Sequence, residues 1–240
     1  MSIDLSPAFF DVQLRFANSI TRVSHFSFEE AIFRFTNIYL QCLDRSFNPA
    51  HPVWQTYLEG LQQASDQALW TYAFYEGHRK PVSLSPYGCF QYTYLADEHT
   101  IRLHFTNADT SGCGPLSRDR MPARLQELKA LFTEIKQRHA EAQHVRGVSW
   151  LYNLEAYKRL FPPQYTDAMK IIDDEFQYLA LWGQFLLRDG KVRESLASSF
   201  LSCCCQQYSL EGLMHCFPYS VLQPSCSIAA FYEFYEDIFL

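Results

Sequence analysis

The stretch 100–153 constrains the fold more than any other part of the chain. Side chains alternate between apolar and polar over 101–106, which is the pattern of a half-buried β-strand. A loop of small residues occupies 110–117, an apolar stripe at helical spacing follows over 118–142, and a second strand pattern covers 145–152. A strand, a helix and a strand of this length need a crossover connection, so they predict a parallel pair of strands.

A hairpin is expected at the start of this unit. Residues 89–95 also alternate, and the loop 96–99 that joins them to 100–106 has hairpin length. Pairing across the loop sets Gln91 opposite His104 and makes one face of the hairpin apolar. That face should hold Phe90, Tyr92, Tyr94, Ile101, Leu103 and Phe105. The opposite face is polar and could line a site.

Helices are expected both before and after this unit along the chain. Their patterns cover 8–23, 27–43, 52–75, 154–161, 194–206 and 227–239. Ser27 and Glu30 have the spacing of a capping box, and Asn153 is a candidate helix cap. The predicted fold is α+β, with an N-terminal helical region (1–78) packed on an α/β domain (79–240) as one compact unit. The domain carries a mixed β-sheet with flanking helices.

Charge and hydropathy exclude some partners. The net charge of −6 argues against nucleic acid, since phosphate contacts need a basic surface. No apolar run reaches the roughly 18 residues of a membrane span, so no membrane association is expected. The N-terminus lacks the basic and apolar segments of a signal peptide, which favours a cytoplasmic location.

The eight cysteines show neither a CxxC pair nor a histidine partner at zinc-finger spacing. The run Cys203-Cys204-Cys205 is expected on one helix, where adjacent side chains point about 100° apart and cannot readily converge on one metal. These three cysteines are therefore predicted to be reduced and free of metal, and no metal site is expected elsewhere.

The loop that follows the strand is a candidate anion site. Backbone N–H groups of Gly112 and Gly114, near the start of a helix, could hold a phosphate or carboxylate. Ser117, Arg118 and Arg120 stand beside them and could add direct contacts. The loop is neither a P-loop nor a dinucleotide-binding fingerprint, and a simple tight turn explains its glycines equally well.

His104 lies on the polar strand face beside this loop and is the candidate general base. It could equally form a structural contact with Gln91. Ligands of parallel sheets lie beyond the carboxyl ends of the strands, so the remaining substrate candidates come from those ends. They are Gln91, Asn107, Ser149, Trp150 and Tyr152, although Trp150 and Tyr152 could instead belong to the core.

Residues 100–187 resemble the C-terminal domain of GNAT-like acyltransferase-domain proteins. The resemblance rests on His104, Gly114-Pro115-Leu116-Ser117, Ser149-Trp150-Leu151 and Leu160-Phe161-Pro162. The whole chain also looks like a member of an uncharacterised bacterial family. The resemblance implies an acyltransferase, or a degenerate relative, that acts on a small molecule and takes acyl-CoA as its cofactor. The alternative is a non-catalytic binding or regulatory module for a small anion or a peptide.

Overall fold

A computed structural model describes residues 5–79, 85–109, 111–172 and 175–237. The chain divides into two compact units, one formed by residues 2–82 with 174–219 and the other by 83–173 with 220–240. The sequence boundary at residue 78 lies close to the first division. Residues 174–219, however, group with the N-terminal helices rather than with the sheet, because their aromatic side chains pack on α1 (Pro7–Val23), where Phe16 contacts Trp182 and Phe217.

The remaining helices are α2 (Phe28–Phe35), α3 (Ile38–Cys42), α4 (Pro52–Gln63), α5 (Gln67–His78), α6 (Met121–Arg138), α7 (Glu155–Lys158), α8 (Pro163–Asp167), α9 (Leu179–Trp182), α10 (Glu194–Cys205), α11 (Leu210–Met214) and α12 (Ile228–Asp237). The strands are β1 (Phe90–Leu95), β2 (Thr100–Phe105), β3 (His144–Gly147), β4 (Met169–Ile172) and β5 (Val221–Ser227). Short 3₁₀ turns cover Ala96–Glu98, Arg118–Arg120, Trp150–Asn153, Glu175–Gln177 and Gly183–Phe185. The predicted tail helix, 227–239, extends to residues that lie outside the described ones. Thr110, in the predicted anion loop, also lies outside them.

The N-terminal region has more and shorter helices than its apolar stripes predict, because polar side chains cap helix ends within those stripes. The capping box of Ser27 and Glu30 is confirmed, but the predicted helix 27–43 breaks after Phe35. There the Thr36 hydroxyl donates to the Ile32 carbonyl, 2.6 Å away. The predicted helix 52–75 is likewise two helices, because Asp66 accepts the Leu69 N–H and caps the start of α5.

The sheet has five strands in the order β1-β2-β3-β5-β4. The predicted register of the β1–β2 hairpin is confirmed, with Gln91 opposite His104 and Tyr92 opposite Leu103. The predicted parallel pairing of β2 with β3 is also confirmed, whereas β5 pairs antiparallel with both β3 and β4. Helices α6 and α12 contribute to the core on the apolar face, where Phe132 stacks on Phe231. The α+β fold class is therefore confirmed.

The second predicted strand, 145–152, is too long. It ends at Gly147, and Trp150–Asn153 forms a 3₁₀ turn in which the Ser149 hydroxyl accepts the Leu151 N–H. Asn153 does not cap the next helix. Its side-chain amide donates to the carbonyls of Trp150 and Ser220 instead.

One prediction about the cysteines is wrong. Cys203, Cys204 and Cys205 do lie on one helix, but Cys203 forms a disulfide with Cys216 across a Cα–Cα distance of 5.6 Å. Cys204 is buried and Cys205 is exposed, both as thiols. The disulfide forms because the end of α11 lies beside the end of α10.

Candidate functional site

The predicted site residues fall in separate places, and the first is the polar face of the sheet. Gln91 and His104 lie opposite each other on this face, both half-buried. The His104 Nε2 atom is 3.0 Å from the Thr93 hydroxyl oxygen. Leu103, which points to the other face, is buried in the core. The hairpin therefore separates a polar surface from the core as its alternation predicts.

Two arginines lie side by side on this polar face. The register of the parallel pair places Arg102 of β2 beside Arg146 of β3, on strands about 4.8 Å apart. Thr93 and Ser225 continue the same row onto β1 and β5. Arg146 forms an ion pair with Glu98, whereas Arg102 forms none with any residue in the described ranges. The row therefore carries an excess of positive charge.

The predicted anion loop uses several of its own N–H groups internally. The Ser111 N–H donates to the Asp109 carboxylate at 2.8 Å, and the Ser117 N–H donates to the Gly114 carbonyl at 2.9 Å. Gly112 has a φ of +80°, which favours glycine, but a β-carbon on Gly114 would make ordinary contacts with Ser117, 3.9 Å from its β-carbon and 4.0 Å from its backbone nitrogen. These hydrogen bonds are those of a tight turn, and the anion-binding role of the loop stays a prediction.

The arginines beside the loop differ in their surroundings. Arg118 is exposed, whereas the Arg120 Nε atom lies 2.6 Å from the Asp109 carboxylate. Arg124 contacts the same carboxylate at 3.1 Å and the Glu127 carboxylate at 2.8 Å. Arg120 therefore does bind an anionic group, but that group belongs to the chain. Asp109, Arg120, Arg124 and Glu127 are called the buried charge network below.

The network ties the loop and α6 to the start of β1. The Cys89 N–H donates to the Glu127 carboxylate at 3.1 Å, and the Arg124 guanidinium contacts the Cys89 sulfur. Burial alone would raise the pKa of Asp109, but hydrogen bonds from Ser111 and Arg120 together with the Arg120 charge hold that pKa well below its usual range. Burial raises the pKa of Glu127, and the contacts with Cys89 and Arg124 offset this only in part. These features describe a structural network.

The remaining candidates do not gather around His104. The Ser149 hydroxyl caps the 3₁₀ turn, and Trp150 is buried. Tyr152 lies in the core, where its hydroxyl is 3.0 Å from that of Tyr165 and burial raises the Tyr152 pKa well above its usual value. Asn107 is half-buried between β2 and Asp109, and the hydroxyl of the half-buried Ser117 is itself shielded from solvent.

Sequence reasoning missed Arg146 and Glu98, and it gave Arg102 no role. Alternation along the hairpin already placed Arg102 on the face of His104. The offset between two parallel strands is not encoded in either strand, however, so the neighbour of Arg102 on β3 could not be named from the sequence.

A groove lies within the helical unit, between α1 and α10. It has a volume of about 990 Å³, and its apolar lining includes Val12, Leu196 and Leu201. Its charges are largely compensated locally, because Arg15 lies 3.7 Å from Asp11 and Lys191 lies 3.0 Å from Asp189. This groove therefore indicates no particular class of ligand.

Comparison with protein-family models, with curated proteins and with solved structures finds no match for this chain. Among the described helices, none has both the length and the apolar character needed to cross a membrane. The site must therefore be interpreted from its own geometry.

Proposed function

We propose that this chain is a non-catalytic binding module for a small anion, which lies on the polar face of the sheet. The observation that supports this best is the pair Arg102 and Arg146, which are adjacent in register, while Glu98 forms an ion pair with Arg146 alone. Like charges on neighbouring strands cost stability, so their presence on one face favours a role in binding. Gln91 and His104 extend the surface with further hydrogen-bonding groups. These four side chains are called the cationic face.

The energetics favour an anion of modest size. Hydrogen bonds to charged groups contribute about 1.5–3 kcal/mol each, which corresponds to roughly 10-fold to 150-fold in affinity. The net charge of −6 repels a large polyanion at longer range, whereas a small anion experiences mainly the local arginines. A small carboxylate or phosphate compound fits both conditions.

Acyl transfer receives less support from the geometry. The loop expected to hold acyl-CoA uses amides of Ser111 and Ser117 internally, and its neighbour Arg120 is bound to Asp109. His104 contacts Thr93 on a strand face, and no observation on the described residues places an acyl acceptor beside it. The GNAT-like activity stays a prediction from the resemblance.

The test is a titration with succinate and with inorganic phosphate, followed by backbone amide NMR at low ionic strength. Binding should shift the amides around Arg102 and Arg146, and Arg102→Gln should weaken it at least tenfold. Arg118→Gln is the matched control, because it removes one exposed guanidinium at the predicted anion loop and should change nothing.

Two outcomes would overturn the proposal. The first is the absence of binding by both probes at millimolar concentration, or binding by Arg102→Gln as tight as that of the parent. The second is a loss of binding confined to Arg118→Gln, which would place the anion at the loop instead.

A further inference from the structure

The cationic face already holds one anionic group, the carboxylate of Glu98. Its Oε2 atom is 2.9 Å from Nη1 of Arg146, and its Oε1 atom is 3.4 Å from Nη2. Two oxygens therefore face two nitrogens of one guanidinium, the arrangement in which arginine recognises carboxylates. This contact identifies the chemical group that fits Arg146.

We infer that Glu98 is an internal competitor, which occupies Arg146 until a ligand carboxylate takes its place, and that the ligand carries two anionic groups. One group replaces Glu98 on Arg146, and the other reaches the neighbouring Arg102. The inference rests on the proposed function and adds both the ligand class and the regulation of the same site.

Glu98 is well placed to be displaced. Its side chain is 52% exposed and that of Arg146 is 26% exposed, and ion pairs between exposed groups contribute only about 0–1 kcal/mol. The backbone at Glu98 is held independently of this contact, because the Thr100 hydroxyl donates to the Glu98 carbonyl at 2.9 Å. The side chain can therefore leave Arg146 while the turn between β1 and β2 keeps its conformation.

The spacing of the arginines selects the ligand class. Arg102 and Arg146 are direct partners on strands about 4.8 Å apart, so a short dicarboxylate can contact both. A monocarboxylate offers only one negative charge to the two arginines, and it must still displace Glu98 to reach Arg146. Succinate should therefore bind at least tenfold more tightly than propionate, which has nearly the same carbon skeleton but one charge.

The decisive experiment compares Glu98→Gln with Asp97→Asn in the succinate titration. Both substitutions remove one exposed negative charge from the same turn, but only Glu98 contacts Arg146. Glu98→Gln should tighten succinate binding about twofold to fivefold, the range that an exposed ion pair allows, and Asp97→Asn should leave it nearly unchanged. In an Arg146→Gln background, the effect of Glu98→Gln should disappear.

Four results would overturn the inference. Equal tightening by both variants would show general electrostatics rather than competition, and an effect of Glu98→Gln that survives in Arg146→Gln would place its origin elsewhere. Equal affinity for succinate and propionate would contradict the inference that the ligand carries two anionic groups. If Glu98→Gln has no effect while Arg102→Gln weakens binding, this inference fails and the proposed function stands.

Discussion

Two pairs of arginines in the sheet-containing unit show how burial decides what a cation does. Arg120 and Arg124 lie at the base of the loop that follows β2, and two carboxylates, Asp109 and Glu127, neutralise them. Arg102 and Arg146 lie on the polar face of the sheet, where Glu98 pairs with Arg146 and none of the described residues forms an ion pair with Arg102.

The exposed fractions of the side chains explain this difference. The Arg124 side chain is 3% exposed, and a buried charge without a partner costs several kcal/mol, so carboxylates must accompany it. Arg146 remains hydrated. Water can likewise stabilise the positive charge of its neighbour Arg102, which forms no ion pair with the described residues. Arginines beside a glycine loop therefore indicate a ligand site only if the chain does not neutralise them itself.

The largest expected effect tests the buried pair. Arg124→Met leaves Glu127 without its cation and weakens the compensation of Asp109, so the free energy of unfolding should fall by about 3–5 kcal/mol in urea denaturation. Arg138→Met is the control on the same helix, because its side chain is 69% exposed and pairs with Glu134 alone among the described residues; it should change stability by less than about 0.5 kcal/mol. Similar stabilities for the two variants would contradict the role given to the buried charge network.

The second prediction concerns the pH dependence of stability. The folded state lowers the pKa of Asp109, so its contribution is present above the unfolded value of about 4 and is lost as the pH falls below it. The raised pKa of Glu127 acts in the opposite direction, since its contribution is present at low pH and is lost as the pH rises through the folded pKa.

Asp109→Asn should therefore be less stable than the parent at pH 7, by about 1–3 kcal/mol, and the difference should shrink below pH 4. Urea denaturation at a series of pH values measures this. The control Asp97→Asn changes an exposed carboxyl and should follow the parent profile. A constant difference between Asp109→Asn and the parent from pH 7 to pH 2 would contradict the assignment.

The third prediction compares Gly147, beneath the cationic face on β3, with Gly114 of the predicted anion loop. A β-carbon on Gly147, the residue after Arg146, would overlap the hydroxyl oxygens of Tyr152 and Tyr165. Gly147→Ala should therefore destabilise the protein by about 1–3 kcal/mol through overpacking. Gly114→Ala should be neutral or stabilising by up to about 1 kcal/mol, because its β-carbon meets only an ordinary contact. Thermal denaturation of both variants checks this, and the reverse order of stability would refute it.

The smallest effect is expected at Arg102, and its sign is the informative part. Arg102→Gln removes a like charge beside Arg146, so it should stabilise the protein by about 0.2–1 kcal/mol at low salt. The gain should shrink as salt screens the repulsion. Measured changes in melting temperature at two ionic strengths test this, with Arg118→Gln as the control. A clear loss of stability in Arg102→Gln would show that Arg102 is a structural residue, as Arg124 is.

Local sequence patterns correctly predicted those elements whose stability depends mainly on residues within the pattern. The hairpin register followed from alternation, because slipping by one residue would expose Leu103 and bury His104. The apolar stripe of α6 was equally reliable, since its leucines are buried as predicted. The capping box of Ser27 and Glu30 formed because both of its hydrogen bonds lie within four residues.

The candidate site was predicted only in part. Alternation placed Gln91 and His104 on the polar face, but Arg146, which adds a second positive charge there, comes from β3, and Glu98, which pairs with Arg146, comes from a turn. The loop arginines were assigned to a ligand because the sequence does not show that the Asp109 carboxylate is buried against Arg120.

The sequence by itself determined the fold class, the hairpin register and the parallel β2–β3 pairing, because each depends on periodicity or on the length of a connection. Only the tertiary structure decided that Arg102 lies beside Arg146, that Arg124 is buried with two carboxylates, and that Cys203 bonds to Cys216. Apart from the Arg124–Glu127 pair within α6, these are contacts between different elements of the fold. Their free energies depend on distance and burial, which no local pattern of residues encodes.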